Sequence, residues 1–196
     1  MSTIENRCKG LYPSTPIQDA MSEAPIEFRC LQCGECCRRL LIDSRLIRKG
    51  LPLFPDERGL FPGELIRPGV GIGHPDRPGF RVISYQMTEM VCPHLDEGRC
   101  DIWEARPVVC RAYPYMPVIT QGGYVTKEVS LECTSLMMEA ARRHGVFKID
   151  ERSLGGELRA LGKLSEITFE AVENLDEAWF HDLNRRRWVP FKSLKA

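Results

Sequence analysis

The spacing of apolar positions changes character along the chain. In the first 27 residues it has little periodicity and is interrupted by Pro13, Pro16 and Pro25, so residues 1–27 read as an irregular arm. "LLIDSRLIRKG" then predicts a short apolar-faced helix, with Asp43 as its N-cap and Gly50 as its stop. Residues 51–79 are rich in Pro and Gly and predict a long ordered loop. "GFRVISYQM" (79–87) holds β-branched and aromatic residues and predicts a strand, as does "GGYVTKEVSLEC" (122–133). Beyond Cys133 the period becomes helical. Leu136, Met137, Ala140 and Ala141 share one face, and Leu154, Leu158, Leu161 and Leu164 share another, although Gly155 and Gly156 weaken its start. Ile167, Ala171, Leu175, Ala178, Trp179 and Leu183 form the clearest stripe and predict a last helix. No internal repeat or low-complexity tract is visible.

Composition narrows the class. A chain of 196 residues that is 43% hydrophobic can bury a core, and it suits one domain or a domain with a helical extension. The formal net charge is zero, so no global basic field predicts a nucleic-acid partner. No apolar run nears the roughly 20 residues of a membrane span, so no membrane insertion is expected. The start, "MSTIENRCKGLYPSTP", lacks the apolar core of an export signal. The expected compartment is the cytoplasm, where disulfides rarely persist.

That expectation changes how the nine cysteines are read. In a secreted chain they would suggest a disulfide framework; in a reducing compartment, clustered thiols point to metal ligation or catalysis. "CLQCGECC" places Cys30, Cys33, Cys36 and Cys37 within eight positions, and Cys92, Cys100, Cys110 and Cys133 follow. Only Cys8 stands apart, and it reads as a small buried hydrophobe. Eight thiols make two sets of four, the number that Zn²⁺ or a four-iron cluster takes. A zinc knuckle normally shows one C-x2-C, whereas here the spacing occurs twice in succession. Three thiolates so spaced can wrap three corners of a cubane, as in ferredoxins, whose fourth ligand is a distant Cys followed by Pro. Cys92-Pro93 fits that role. Cys37, adjacent to Cys36, is more easily given to a second site with Cys100, Cys110 and Cys133.

Such a centre carries about two net negative charges and needs donors and cations nearby. Arg29, Arg38, Arg39, Arg99, Arg106 and Arg111 lie within a few residues of a cysteine. Gly34 relieves the backbone inside the loop, and Tyr113 and Pro114 are candidates to wall the site from water. Asp96-Glu97-Gly98 predicts a turn, Asp101 with Glu104 resembles a capping box, and Pro107 limits that helix or begins another.

"CLQCGECC" and "CPHLDEGRCDIWEARPVVCRAYP" together resemble the CxxCxxCC cysteine-cluster family, a zinc- or iron-chelating domain. The family's eight cysteines fall on Cys30, Cys33, Cys36, Cys37, Cys92, Cys100, Cys110 and Cys133. Its C-P-x-L stretch matches Cys92-Pro93-His94-Leu95. Its R-P-x-x-C-R-x-x-P element matches Arg106, Pro107, Cys110, Arg111 and Pro114. The resemblance covers roughly residues 28–133 and implies metal binding without fixing the metal. Some members are associated with flagellin lysine N-methylation, through further sequence that is not identifiable here.

Other stretches carry less. "GVGIGHP" (69–75) follows no predicted strand and opens no helix, so it reads as a tight loop rather than a nucleotide loop. Of His74, His94, His144 and His181, only His94 is placed to approach a metal, and hydrogen bonding around the site is its commoner role. Leu136, Met137 and Met138 read as core, Arg185-Arg186-Arg187-Trp188 as a solvated end, and Tyr113 and Tyr115 as structural walls rather than redox relays. The sequence thus predicts an α+β fold: the irregular arm, a cysteine-cluster domain over 28–147 with short strands, and a helical extension over 148–196 packed on it. The core is expected to be assembled by the metal site rather than by a regular sheet, coupling metal binding to folding. The leading function is iron–sulfur binding of the [4Fe–4S] type, held by Cys30, Cys33, Cys36 and Cys92, in a cytoplasmic redox or accessory protein with a redox or client protein partner. Alternatives are a structural Zn²⁺ interaction module and a metal-dependent protein-modifying enzyme.

Overall fold

The computed structural model describes residues 25, 28–43, 47–119, 125–130, 132–143, 149–150 and 155–194. The fold is α+β, and the described residues form many short strands and three α-helices. A hairpin of β1 (Ile42–Asp43) and β2 (Arg48–Lys49) is followed by β3 (Pro52–Leu53), β4 (Ile66–Pro68), β5 (Val70–Ile72), β6 (Arg81–Val82) and β7 (Tyr85–Met87). Next come a second hairpin, β8 (Leu95–Asp96) and β9 (Arg99–Cys100), a 3-10 turn (Trp103–Ala105) and α1 (Val108–Ala112). β10 (Tyr115–Ile119) and β11 (Val125–Val129) lead to α2 (Thr134–Arg142) and α3 (Gly155–Glu173). The described chain closes with β12 (Ala178–Asp182), β13 (Arg187–Pro190) and a 3-10 turn (Phe191–Leu194).

Two sheets frame the core. One runs β13-β12-β5-β6 and the other β3-β7-β4, and every pairing in both is antiparallel. The larger apolar cluster joins sheet residues Val70, Ala178 and Phe180 to Val108 and Ala112 of α1, Leu136 of α2, and Leu161, Leu164, Ile167 and Ala171 of α3. A smaller cluster gathers Leu40, Leu53, Phe61, Ile66 and Met87 over the second sheet. A regular sheet therefore does contribute to the core, contrary to the expectation that the metal site would assemble it alone.

Several local expectations are corrected. The helix predicted from Asp43 to Gly50 is the β1–β2 hairpin, with Ile42 opposite Lys49. The Gly50 N–H donates to the Gln86 side chain at 2.9 Å instead of ending a helix. Residues 51–79 contain three strands and two 3-10 turns, not one loop. In "GVGIGHP", Val70–Ile72 is a strand in mid-sheet. At Gly71 a Cβ would stand 2.3 Å from the Phe80 ring, so a side chain there would displace that ring. The strand foreseen over 79–87 is split into β6 and β7, and the one foreseen over 122–133 is β11. Leu136 is fully buried, but Met137 and Met138 are exposed, so α2 turns only one of the three to the core.

The stripe from Ile167 to Leu183 is not one helix. α3 runs from Gly155 through the predicted third face and ends at Glu173, where Asn174 Nδ2 donates to the Glu170 carbonyl at 2.8 Å. Ala178, Phe180 and Asp182 are then buried alternately with Trp179 and His181, the period of a strand. The C-terminal segment is thus a helix followed by a hairpin, and β12 pairs with β5.

Because the strands are short, buried polar side chains carry much of the bonding between elements. Gln86 receives the Gly50 N–H and donates to the carbonyls of Pro68 (2.8 Å) and His181 (2.6 Å), tying the two sheets together. Replacing Gln86 by Leu leaves one buried and two part-buried backbone groups without that partner, at roughly 1–3 kcal/mol for each. Urea unfolding of Gln86→Leu is expected to show a loss of about 3 kcal/mol or more, while Gln86→Glu retains the acceptor and loses the two donated bonds.

Candidate metal centre

The cysteine loop begins at buried Phe28 and continues through a 3-10 turn, Glu35–Arg38, that carries Cys36 and Cys37. Its tight shape needs Gly34. This residue has φ +72°, and a Cβ would meet the Gly98 carbonyl oxygen and Leu95 Cδ1 at 2.6 Å each. The loop is thereby laid against the β8–β9 hairpin, whose predicted turn is present with Glu97 (φ 44°) and Gly98 (φ 83°) both left-handed. The Cys92 N–H donates to the Cys37 carbonyl at 2.8 Å, and Ser135 Oγ donates to the Arg29 carbonyl at 3.0 Å. The loop is therefore pinned on one side to the segment before β8 and on the other to α2.

Six of the eight clustered cysteines, Cys30, Cys33, Cys36, Cys37, Cys100 and Cys133, line one cleft. Cys110, on α1, feels the charges of Cys36, Cys92 and Cys100. Cys92 shares a thiol hydrogen bond with Cys37. All eight cysteines are free thiols. The set expected from spacing is thus brought into one neighbourhood, although no three His, Cys, Asp or Glu side chains among the described residues are gathered closely enough to hold an ion. Cys8 and His144 lie outside the described residues.

Four of the thiols share a local device. Backbone N–H groups just past the sulfur act to lower each of them: Gln32 at Cys30, His94 at Cys92, Ile102 at Cys100, and Leu136 and Ser135 at Cys133. For Cys30 the N–H···S distance is 3.5 Å. These bonds favour the thiolate. They are outweighed by burial at Cys30, Cys100 and Cys133, whose thiols are pushed up, and burial also pushes Cys110 far up. Cys92 and Cys36 go the other way. The Cys37 S–H bonds to each of them and holds both below the ordinary thiol range, while Cys37 keeps its own proton and is raised.

The surrounding side chains divide into walls and charges. Tyr113 lines the cleft, and its phenol is pushed up to about 12, chiefly by burial. Pro114 is fully buried behind it. Trp103 also lines the cleft. It was not foreseen, and only its position three residues after Cys100 hinted at it. Of the six arginines near cysteines, Arg106 acts on both Cys30 and Cys100, lowering each, whereas Arg38 faces Glu35 at 3.8 Å. His94 is not free to ligate: Nδ1 lies 2.8 Å from Asp101 Oδ1 and Nε2 2.6 Å from the Leu60 carbonyl. It acts instead on Cys92, favouring the thiolate. Asp101 thus orients His94 where the sequence suggested a helix cap. His74 and His181 pack edge-to-face with Trp179 and Trp188 of the larger sheet.

A family model matches residues 29–134, more than half of the chain, under the description "Putative zinc- or iron-chelating domain". The chain belongs to the CxxCxxCC family. It is, at that level, a zinc- or iron-chelating cysteine-cluster protein, and the matched span holds all eight thiols of the centre. No curated protein and no solved structure matches the chain. The donor set itself fits a thiophilic metal, because thiolate with backbone N–H support is the ligand chemistry of zinc and of iron–sulfur clusters.

Two outcomes follow for the CxxCxxCC centre. Gly34→Ala forces a side chain onto Gly98 and Leu95, and is expected to lower metal content per chain by half or more with little change in far-UV circular dichroism. In the reduced, metal-stripped protein, iodoacetamide should label Cys92 and Cys36 first and Cys110 last, read by peptide mass spectrometry across pH. For Cys36 and Cys92 the folded-state pKa is lowered. Their labelling should persist below the ordinary thiol value of about 8.5, and their contribution to stability is full above that value and lost as pH falls through the lowered one.

Proposed function

We propose that this cysteine cluster holds an iron–sulfur centre of the [4Fe–4S] type and that the protein serves as a redox or accessory component for a protein partner. The observation that carries the reading is the consecutive x2 spacing of Cys30, Cys33 and Cys36 on a loop lining a single cleft. When bound, such a cluster supplies one-electron transfer. In this reading, the protein's residues support the sulfurs: N–H groups bond to them, Arg106 offsets their charge, and Trp103 and Tyr113 limit water.

For the fourth ligand, Cys133 is favoured over Cys92. Cys133 shares the cleft with the loop and is influenced by Cys33 and Cys36. Cys92 does not line that cleft; it is hydrogen bonded to Cys37, and its charge reaches Cys36, Cys37, Cys100 and Cys110. The proposed sets are therefore Cys30, Cys33, Cys36 and Cys133 for the first site, and Cys37, Cys92, Cys100 and Cys110 for the second. Structural Zn²⁺ is the second reading, supported by the i+2 N–H···S turns, which serve a tetrahedral thiolate site equally well. A metal-dependent protein-modifying activity has no such support.

Anaerobic purification with iron, zinc and acid-labile sulfide per chain, together with an absorption spectrum, tests the proposal. Iron and sulfide in near-equal amounts with visible charge-transfer bands are expected. Cys33→Ser and Cys133→Ser should each lose most of that absorbance, and Cys8→Ser none. A colourless protein with about two zinc per chain would overturn the iron–sulfur reading.

A further inference from the structure

A second cleft, of about 330 Å³, lies beside the metal centre between α1 and the first turns of α3. Its lining is mostly cationic: Arg106 and Arg111 on one side, Arg159 and Lys163 on the other, with Glu157 the single acid. Val108 and Ala160 supply an apolar floor. Four cations against one carboxylate give this cleft a local charge near +3 in a chain whose formal net charge is zero.

The cations are not consumed by partners of their own. Among the described residues, the guanidinium groups of Arg111 and Arg159 have no ion pair or hydrogen bond. Lys163 has a weak, exposed contact with Asp56 at 3.7 Å and lies 4.7 Å over the Phe54 ring; such surface pairs hold little. Arg106 is already oriented, since its Nη1 donates to the Trp103 carbonyl at 2.6 Å and its guanidinium stacks 3.6 Å from the Trp103 ring centroid. Arg159 and Lys163 are four apart on one helix face, where like charges repel. Without an anion, that arrangement is unfavourable. With one, guanidinium groups on two walls provide forked donors that match phosphate oxygens.

We propose that this cleft is a binding site for a phosphate-bearing small molecule, held by Arg106, Arg111, Arg159 and Lys163. Phosphate is favoured over a simple carboxylate because several cations converge, more than one unit of negative charge can satisfy. The site has Arg106 in common with the thiol centre, but no cysteine lines it, and its assignment does not depend on which metal that centre takes.

Isothermal titration calorimetry of the purified full chain tests it, with sodium pyrophosphate, ADP and sodium acetate as probes at about 0.15 M salt, where nonspecific attraction is screened beyond about 8 Å. Pyrophosphate should bind saturably at one site per chain, and acetate should not. Arg159→Gln is expected to weaken pyrophosphate about tenfold or more, and Glu157→Gln to tighten it. Arg77→Gln, an exposed arginine outside the cleft, should leave it unchanged. ADP binding tighter than pyrophosphate would assign the site to a nucleotide, and equal binding to the phosphate groups alone; either supports the proposal. Absence of saturable pyrophosphate binding would overturn it, as would equal affinity in wild type and Arg159→Gln. Metal content measured on the same samples shows that any loss is not a failure of the thiol centre.

Discussion

The cost of ionising eight sulfurs held in one neighbourhood is the constraint to which the rest of the molecule answers. Each thiolate raises the cost of the next, and that repulsion is felt from Cys36 at Cys30, Cys110 and Cys133. Burial adds to it. The fold opposes this with small local devices: an N–H two residues past a sulfur, the Cys37 S–H between Cys36 and Cys92, the Arg106 guanidinium and the His94 ring. They favour thiolate at Cys36 and Cys92, while burial keeps Cys30, Cys100, Cys110 and Cys133 raised. A cation among the sulfurs would remove the remaining penalty, which is the physical reason for coupling between metal binding and protonation in such centres.

Geometry follows from the same constraint. Sulfurs from residue 30 to residue 133 have to meet, yet few strands exceed three residues. Short strands provide few ladder hydrogen bonds, so buried side chains substitute. Glu57 is the instance nearest the site. Its carboxylate accepts the Phe54 N–H at 2.9 Å and the Val108 N–H at 2.6 Å, fixing the start of α1, which carries Cys110 and Arg111. Asp182 does likewise for the larger sheet, accepting the N–H groups of Arg48 and Asn184 at 3.0 Å each. A buried carboxylate bonded to two backbone donors is satisfied, and removing it would orphan both.

How much of this was legible depended on whether the signal was local. The thiol set, the 96–98 turn and Pro107 at the start of α1 are read from a few neighbouring residues whose chemistry admits little else. The β1–β2 hairpin was not legible, because "LLIDSRLIRKG" has an acceptable helical face and becomes a hairpin only by packing. The stripe from Ile167 to Leu183 misled for a definable reason. Apolar residues at 171, 175 and 178 fit a helical period, and the alternation of 178, 180 and 182 that marks β12 is too short to stand out beside it. His94 was placed near the centre correctly. Its engagement with Leu60 is a long-range fact that no spacing encodes.

The two apolar clusters give the centre a further significance. Cys133 is part of the larger cluster, and Cys92 packs against the smaller. The cysteine loop lies between them, bonded to α2 through Ser135 and to Cys92 through its own backbone. Under the proposed ligand sets, one site would draw on the loop and the larger cluster, and the other on the loop and the smaller. Cys36 and Cys37 are adjacent, so the two sites would be rigidly joined at that peptide. Closing contacts between residues so distant in sequence costs chain entropy, which grows only slowly with the length enclosed. Two ligand shells sharing one dipeptide would therefore constrain both clusters at once. On this argument the adjacency of Cys36 and Cys37 serves the relative placement of the two halves of the fold as well as the supply of an extra ligand.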